Sequence, residues 1–172
     1  TNSNYIVISV LSIMLVSASW ISLRTSSLPR RILLLNAINA ILIGGVSVLI
    51  IMTQGVLMID PWYEPSFMIP LAGMIFANSM NTVSLAGERL FTEQERGKNY
   101  REARRIALET AMIPQINALL AVGLVSLPGM MTGQILSGIE PLTAARYQIM
   151  VMCMIFSTAG LSAVTYMSFK KS

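Results

Sequence analysis

The sequence predicts an all-α, polytopic membrane protein: five transmembrane helices and one amphipathic helix on the cytoplasmic side. Three observations carry this expectation. Of 172 residues, 54% are hydrophobic and 12% are charged, about half the charged share of an ordinary soluble domain, and mean hydropathy is +0.66. The apolar residues gather in five charge-free runs, 5–23, 32–59, 65–87, 110–139 and 147–169. A helix needs about 20 mostly apolar residues to cross a bilayer, and a charge at its centre costs roughly 2.5–3.5 kcal/mol on the insertion scale. Finally, Lys and Arg alternate between connections. Soluble core helices rarely lack charge over so many residues, and barrel strands would alternate apolar with polar, which these runs do not.

The first span is expected at about 5–23, with a connection after it that carries Arg24, Arg30 and Arg31. The second, about 32–54, contains Gly44-Gly45 and leads into Asp60-Pro61-Trp62-Tyr63-Glu64, a connection without Lys or Arg. The third is expected at about 66–87, and the connection after it carries Arg89, Arg96, Lys98, Arg101, Arg104 and Arg105. The fourth, about 113–138, precedes a connection with only Arg146; the fifth, about 147–169, ends at Lys170 and Lys171. By the positive-inside rule the basic connections and the C-terminus are cytoplasmic. Thr1 then lies outside, with Trp62 and Tyr63 at the outer interface. The net charge of +4 therefore reflects topology. The basic residues are spread over three segments without interleaved aromatics, so nucleic acid is not an expected partner.

The third connection predicts an amphipathic helix over about 97–112. Tyr100, Ala103, Ile106, Ala107 and Ala111 recur at helical spacing. Lys98, Arg101, Glu102, Arg105 and Glu109 take the other face. Asn99 suits the N-cap, with Glu102 three residues on as a capping box requires. Two roles fit: a helix resting on anionic lipid headgroups, or a docking element for a cytoplasmic partner.

The fourth run contains Pro114 and Pro128-Gly129. Proline removes a backbone donor and kinks or breaks a helix. Pro114 is expected where the surface helix turns into the bilayer, and Pro128-Gly129 within the span. Broken helices at membrane depth are tolerated inside protein or beside a water-filled cavity and often line transport sites. Gly129–Gly133, Gly73–Ala77 and Ala159–Ala163 have the small-xxx-small spacing of close helix contacts.

Several chemistries are excluded. There is no histidine and one cysteine, Cys153. Ser-His-Asp and Cys-His catalysis, imidazole metal ligation and a zinc or iron–sulfur site all lose their ligands. No carboxylate lies inside an expected span, so a membrane proton relay is unavailable. No phosphate-binding G-x-x-x-x-G-K-[ST] loop exists. The chain is expected not to be an enzyme, and to hold no cofactor. Neutral polar residues remain within the runs: Asn36, Asn39, Asn78, Ser79, Asn81, Thr82, Gln115, Asn117, Ser126, Thr132 and Gln134. Interhelical hydrogen bonding accounts for them; a polar pathway is the functional alternative. The 13 methionines are scattered, and gap-filling is their commonest role.

Two stretches, IPLAGMIFANSMNTVSLAGERL (69–90) and VGLVSLPGMMTGQILSGIEPLTAARYQIMVMCMIFSTAGLSAV (122–164), resemble the FetB-type permease family, the membrane subunit of an iron-export ATP-binding-cassette (ABC) transporter. The elements 124–133 and 141–149 carry the resemblance most specifically. It covers about 69–166; the first two spans match in hydropathy and loop charge alone. Plant relatives are associated with aluminium tolerance and nucleotide-sugar transport. The resemblance implies one transmembrane permease domain over 1–172. Its partners would be a cytoplasmic ATPase that holds ATP and magnesium, membrane lipid and a second permease copy, in the inner membrane. It makes 97–112 a coupling helix, with Tyr100, Arg101, Arg104 and Arg105 contacting the ATPase. Asn78, Asn81, Met130, Met131 and Gln134 become pathway candidates, the first four placed in one cavity between the third and fourth runs; metal ligands are not identified. The family has about two further N-terminal spans and the sequence does not begin with Met, so a fragment lacking those spans is expected. A nucleotide-sugar or other organic-anion exporter and a non-transporting scaffold are the competing readings.

Overall fold

Serine is a poor residue for an apolar helix unless its hydroxyl finds a partner, and in the first helix several do. α1 (Ser3–Ser22) returns Ser9, Ser12 and Ser19 hydroxyls to the carbonyls of Tyr5, Ile8 and Leu15, each at 2.8 Å. The computed structural model describes residues 3–23, 30–125 and 127–169. Thr1, Arg24, Ser126, Lys170 and Lys171 lie outside the described residues.

α2 (Arg30–Ile41) continues without interruption into a π-helical turn (Leu42–Val46), α3 (Ser47–Ile50) and a second π-helical stretch (Ile51–Val56). A π turn inserts an extra residue and so rotates the downstream part of the helix. Here it brings Gly44 against Ser162 on one neighbour and Gly45 against Ile75 and Phe76 on another.

α4 (Pro65–Glu95) is the central rod, with Pro65 at its first turn. At 1.5 Å per residue its 31 residues span about 46 Å, more than the ~30 Å hydrocarbon core. Its charged last two turns therefore project beyond the membrane. It ends where Gly97 takes a left-handed φ of +82°. The Gly97 amide donates to Gln94 (2.9 Å) and the Lys98 amide to Glu93 (3.2 Å), a Schellman closure. α5 (Tyr100–Ala121) starts three residues after Gly97. Asn99 caps it as expected, its Oδ1 accepting from the Glu102 amide at 2.9 Å.

α5 runs back antiparallel along α4: Lys98 meets Glu93 at one end and Gln115 meets Asn78 further on. Ala103, Ala107, Ala111 and Gln115, four apart, are all buried. The three small residues let the two backbones approach. After the turn at 123–125, α6 (Gly129–Leu136) packs on α7 (Pro141–Phe169). α7 lies beside α4 as well, with Ser79 bonded to Thr158 and Ser162.

Four described helices are long and apolar enough to cross a membrane: Asn4–Ser22, Leu33–Val56, Pro65–Glu95 and Pro141–Phe169. The all-α polytopic class is thus established, and four of the five expected spans have their helix. The fourth, 113–138, is not one helix. Its first part is the continuation of the expected coupling helix, because α5 passes straight through Pro114. A single missing donor at an exposed proline does not outweigh the packing of the buried stripe Ala103, Ala107 and Ala111. The break falls instead at Gly123, with φ +80°, where Val122 and Val125 amides close on Ala118 and Ala121 carbonyls. Pro128 then serves as the N-cap of α6. Gly129 and Gly133 have open space around them, unlike Gly44, Gly45, Gly73 and Gly87; that small-xxx-small pair packs no neighbouring helix among the described residues.

Candidate functional site

The elbow between α4 and α5 concentrates the charge. Glu93, only 1% exposed, sits under three cations. Its Oε1 meets Arg89 at 3.0 Å and Arg96 at 3.1 Å, and its Oε2 meets Lys98 at 2.8 Å. Lys98 also approaches Glu102 at 3.7 Å. A buried carboxylate is tolerated only when paired, so this hub fixes the angle at which α5 leaves α4. Tyr100 closes the far side: its hydroxyl donates to the Met167 carbonyl near the end of α7. Burial raises the Tyr100 phenol above its ordinary value against the opposing pull of Arg104, which keeps the donor proton in place. Arg104 reaches Ser168 at 3.4 Å. The elbow thus ties α4, α5 and α7 together at one end.

Beyond this framework the outward face of α5 is open to another molecule. Arg101 is exposed, and Arg105 is 73% exposed with a long 3.9 Å contact to Glu109. Asn99, Tyr100, Arg101 and Arg104 line an open polar cleft. Tyr100, Arg101, Arg104 and Arg105 therefore share one end of one helix, although Tyr100 and Arg104 also face α7.

Deeper in the bundle the expected pathway group does not assemble. Gln115 Nε2 donates to Asn78 Oδ1 at 3.3 Å, and Asn78 Nδ2 donates to the Met74 carbonyl at 2.8 Å. Asn81 is exposed: three residues on is about 60° round the helix, away from α5. Met130 packs against the apolar core. Met131 lines a different cavity, of about 360 Å³, between α5, α6 and α7. Gln134 Oε1 is buried with no hydrogen-bond partner among the described residues. The group separates because α5, not α6, covers the Asn78 side of α4. If the Asn78–Gln115 bond only joins helices, a double-mutant cycle with Asn78→Ala and Gln115→Ala should give a coupling of about 0.6 kcal/mol, measured by unfolding in detergent. A coupling near zero would remove it as a contact between α4 and α5.

Two features had little signal in the sequence. Glu93 and its cations read as an ordinary charged surface, since only the chain reversal at Gly97 brings Lys98 over the carboxylate. The second is a buried hydroxyl cluster. Ser162 and Ser79 hydroxyls are 3.1 Å apart, Ser79 and Thr158 hydroxyls 3.4 Å, and Thr158 Oγ1 donates to the Gly44 carbonyl at 3.3 Å. Among the described residues no three His, Cys, Asp or Glu side chains converge to hold a metal.

Comparison with known proteins places this geometry. The sequence model of the family described as "Uncharacterised protein family (UPF0014)" matches residues 1–104 and 95–172. The UPF0014 membrane protein slr1647 of Synechocystis sp. is 42% identical over 126 residues, covering 63% of this chain and 49% of the relative. The Probable iron export permease protein FetB of Escherichia coli is 40% identical over 126 residues, with the same 63% and 49% coverage. Protein ALUMINUM SENSITIVE 3 of Arabidopsis thaliana is 34% identical over 118 residues, covering 60% of this chain and 43% of the relative. The chain spans about half the length of the curated relatives it matches. No solved structure matches it.

Proposed function

The chain belongs to the UPF0014 membrane protein family, and on that premise we propose that it is part of the permease subunit of an ABC exporter carrying iron or another metal ion out of the cytoplasm. The observation that carries the proposal is α5. One unbroken helix leads from an exposed basic face at the charged elbow to the Asn78–Gln115 contact within the bundle. A force applied to Arg101 and Arg105 passes along a rigid rod, with no flexible linker to absorb it. The Glu93 hub and the Tyr100–Met167 bond spread the same displacement to α4 and α7.

In this reading a separate cytoplasmic ATPase binds ATP and magnesium and docks on the α5 elbow. Two permease copies form the membrane unit in the inner membrane, with the elbow cytoplasmic and the Trp62–Tyr63 turn outside. The iron cargo is taken from the printed name of the Escherichia coli relative. Inverted vesicles containing the complete permease and its ATPase should accumulate radiolabelled iron when ATP is supplied, and not when either subunit is omitted. Co-purification of the two subunits without iron uptake would sink the cargo, and failure to co-purify would sink the transporter reading itself.

A further inference from the structure

The break at Gly123 leaves a gap in the bundle. α5 ends at Ala121 and α6 has only eight residues, so the two leave part of α7 uncovered: Ile149 and Cys153 are exposed. An open groove of about 360 Å³ runs between the three helices, walled by Leu119, Leu127, Met131, Ile149, Met152 and Cys153. Arg146 precedes Cys153 by seven residues, about two turns up one side of α7. It is exposed, and it is the only Lys or Arg between Arg105 and Lys170. The ion pairs among the described residues join Arg89, Arg96, Lys98 and Arg105 to carboxylates and leave Arg146 out. Its level follows from α4. The two helices run in the same direction, since Ser79 meets Thr158 and Gly87 meets Tyr166. Arg146 lies twelve residues before Thr158, about 18 Å, which brings it level with the first turn of α4 and near the Trp62–Tyr63 turn. Trp and Tyr favour the membrane–water interface. Ile149, Met152 and Cys153 then lie roughly 5–10 Å deeper. A lone cation at headgroup level thus stands over an apolar groove that opens into the membrane.

We propose that this groove holds one acyl chain of a phospholipid whose phosphate rests on Arg146. Charge complementarity selects the occupant. A guanidinium matches a phosphate through two parallel N–H donors, and headgroup phosphates lie at the level of Arg146. In a bilayer no hydrophobic gain separates the groove from the surrounding lipid, because lipid tails are as apolar as leucine. The preference comes from the arginine–phosphate contact and from the summed dispersion contacts of a chain lying in a concave wall. A second copy of the chain would have to fill the same groove with side chains and bring a carboxylate to Arg146. The lipid supplies both parts in one molecule, head above and chain below. Seated there it joins α6 to α7 where the broken span leaves them apart. The site depends neither on the transport reading nor on which side of the membrane the Trp62–Tyr63 turn faces.

The test is native mass spectrometry of the purified protein in detergent, titrated with phosphatidylglycerol. One molecule per chain should bind at least tenfold more tightly than diacylglycerol with the same chains, which lacks the phosphate. Arg146→Gln should lower phosphatidylglycerol affinity at least tenfold, to the diacylglycerol level, with the monodisperse yield unchanged. Phosphatidylglycerol carrying a photoreactive group in its acyl chain should label the segments 119–131 and 149–153. Equal binding of the two lipids by the unmodified protein would overturn the site without recourse to any variant. So would undiminished binding by Arg146→Gln, or labelling confined to other segments. A dimer that excludes the lipid and dissociates in Arg146→Gln would assign the groove to a second copy and overturn the lipid site as well.

Discussion

Replacing Arg101 and Arg105 together by Glu should reduce permease-stimulated ATP hydrolysis to the basal rate of the isolated ATPase, a loss of at least tenfold, while the amount of folded permease stays unchanged. The two residues are four apart and share the outward face of α5. Arg105 is 73% exposed and Arg101 is exposed, so neither holds the bundle together. Exposed substitutions away from packed contacts usually change stability by no more than about 0.5 kcal/mol. Charge-assisted contacts to a partner carboxylate are among the stronger hydrogen bonds, and reversing both charges turns attraction into repulsion. Arg104 is a less clean probe, because its contact with Ser168 makes a fold effect inseparable from a docking effect. Replacing Glu93 would similarly strand three cations and deform the elbow. The measurement is ATPase activity of the reconstituted complex, with size-exclusion yield as the folding control. Full stimulation in the double variant would leave α5 as a helix resting against lipid and remove the coupling role.

The parts of the molecule that were legible in the sequence are those governed by the bilayer and by local caps. Four spans are set by charge-free length alone, and Asn99 with Glu102 marks the start of α5 because capping needs only neighbouring residues. The misplaced parts depend on competition between local and tertiary terms. Pro114 reads as a breaker, but α5 is held to α4 by Ala103, Ala107, Ala111 and Gln115, and one lost backbone bond does not undo that packing. Gly123, less conspicuous than Pro128-Gly129, is where the left-handed turn forms. The π-helical turns left no trace, since a uniformly apolar run has no periodicity to betray a change in pitch. Asn78 and Asn81 share a helical side only loosely, so one meets α5 and the other does not.

Gly44→Ala should be among the most damaging single-methyl changes available in the chain. A Cβ at Gly44 would lie 2.5 Å from Ser162 Oγ, 2.6 Å from Ser162 N and 2.9 Å from Ser162 Cα. Two of those three atoms are backbone, so no rotamer change in α7 relieves the clash, and Ser162→Gly would remove only the side-chain part of it. The helices must move apart, which also lengthens the Thr158 bond to the Gly44 carbonyl and loosens the Ser79–Ser162 contact. Overpacking a tight core costs typically about 1–3 kcal/mol and occasionally more; here the rigid backbone contact puts the expected loss at or above the upper figure. Gly55→Ala supplies the control. It lies in the same continuous helix, 30–56, and its added Cβ would meet only Ile51 Cγ2 at an ordinary 4.0 Å. Thermal unfolding in detergent and the monodisperse yield should both fall sharply for Gly44→Ala and stay near the unmodified value for Gly55→Ala. Equal behaviour of the two variants would show that the continuous helix 30–56 and α7 are not in the close contact the hydroxyl cluster requires, and the π-helical turn at 42–46 would then have lost its structural reason.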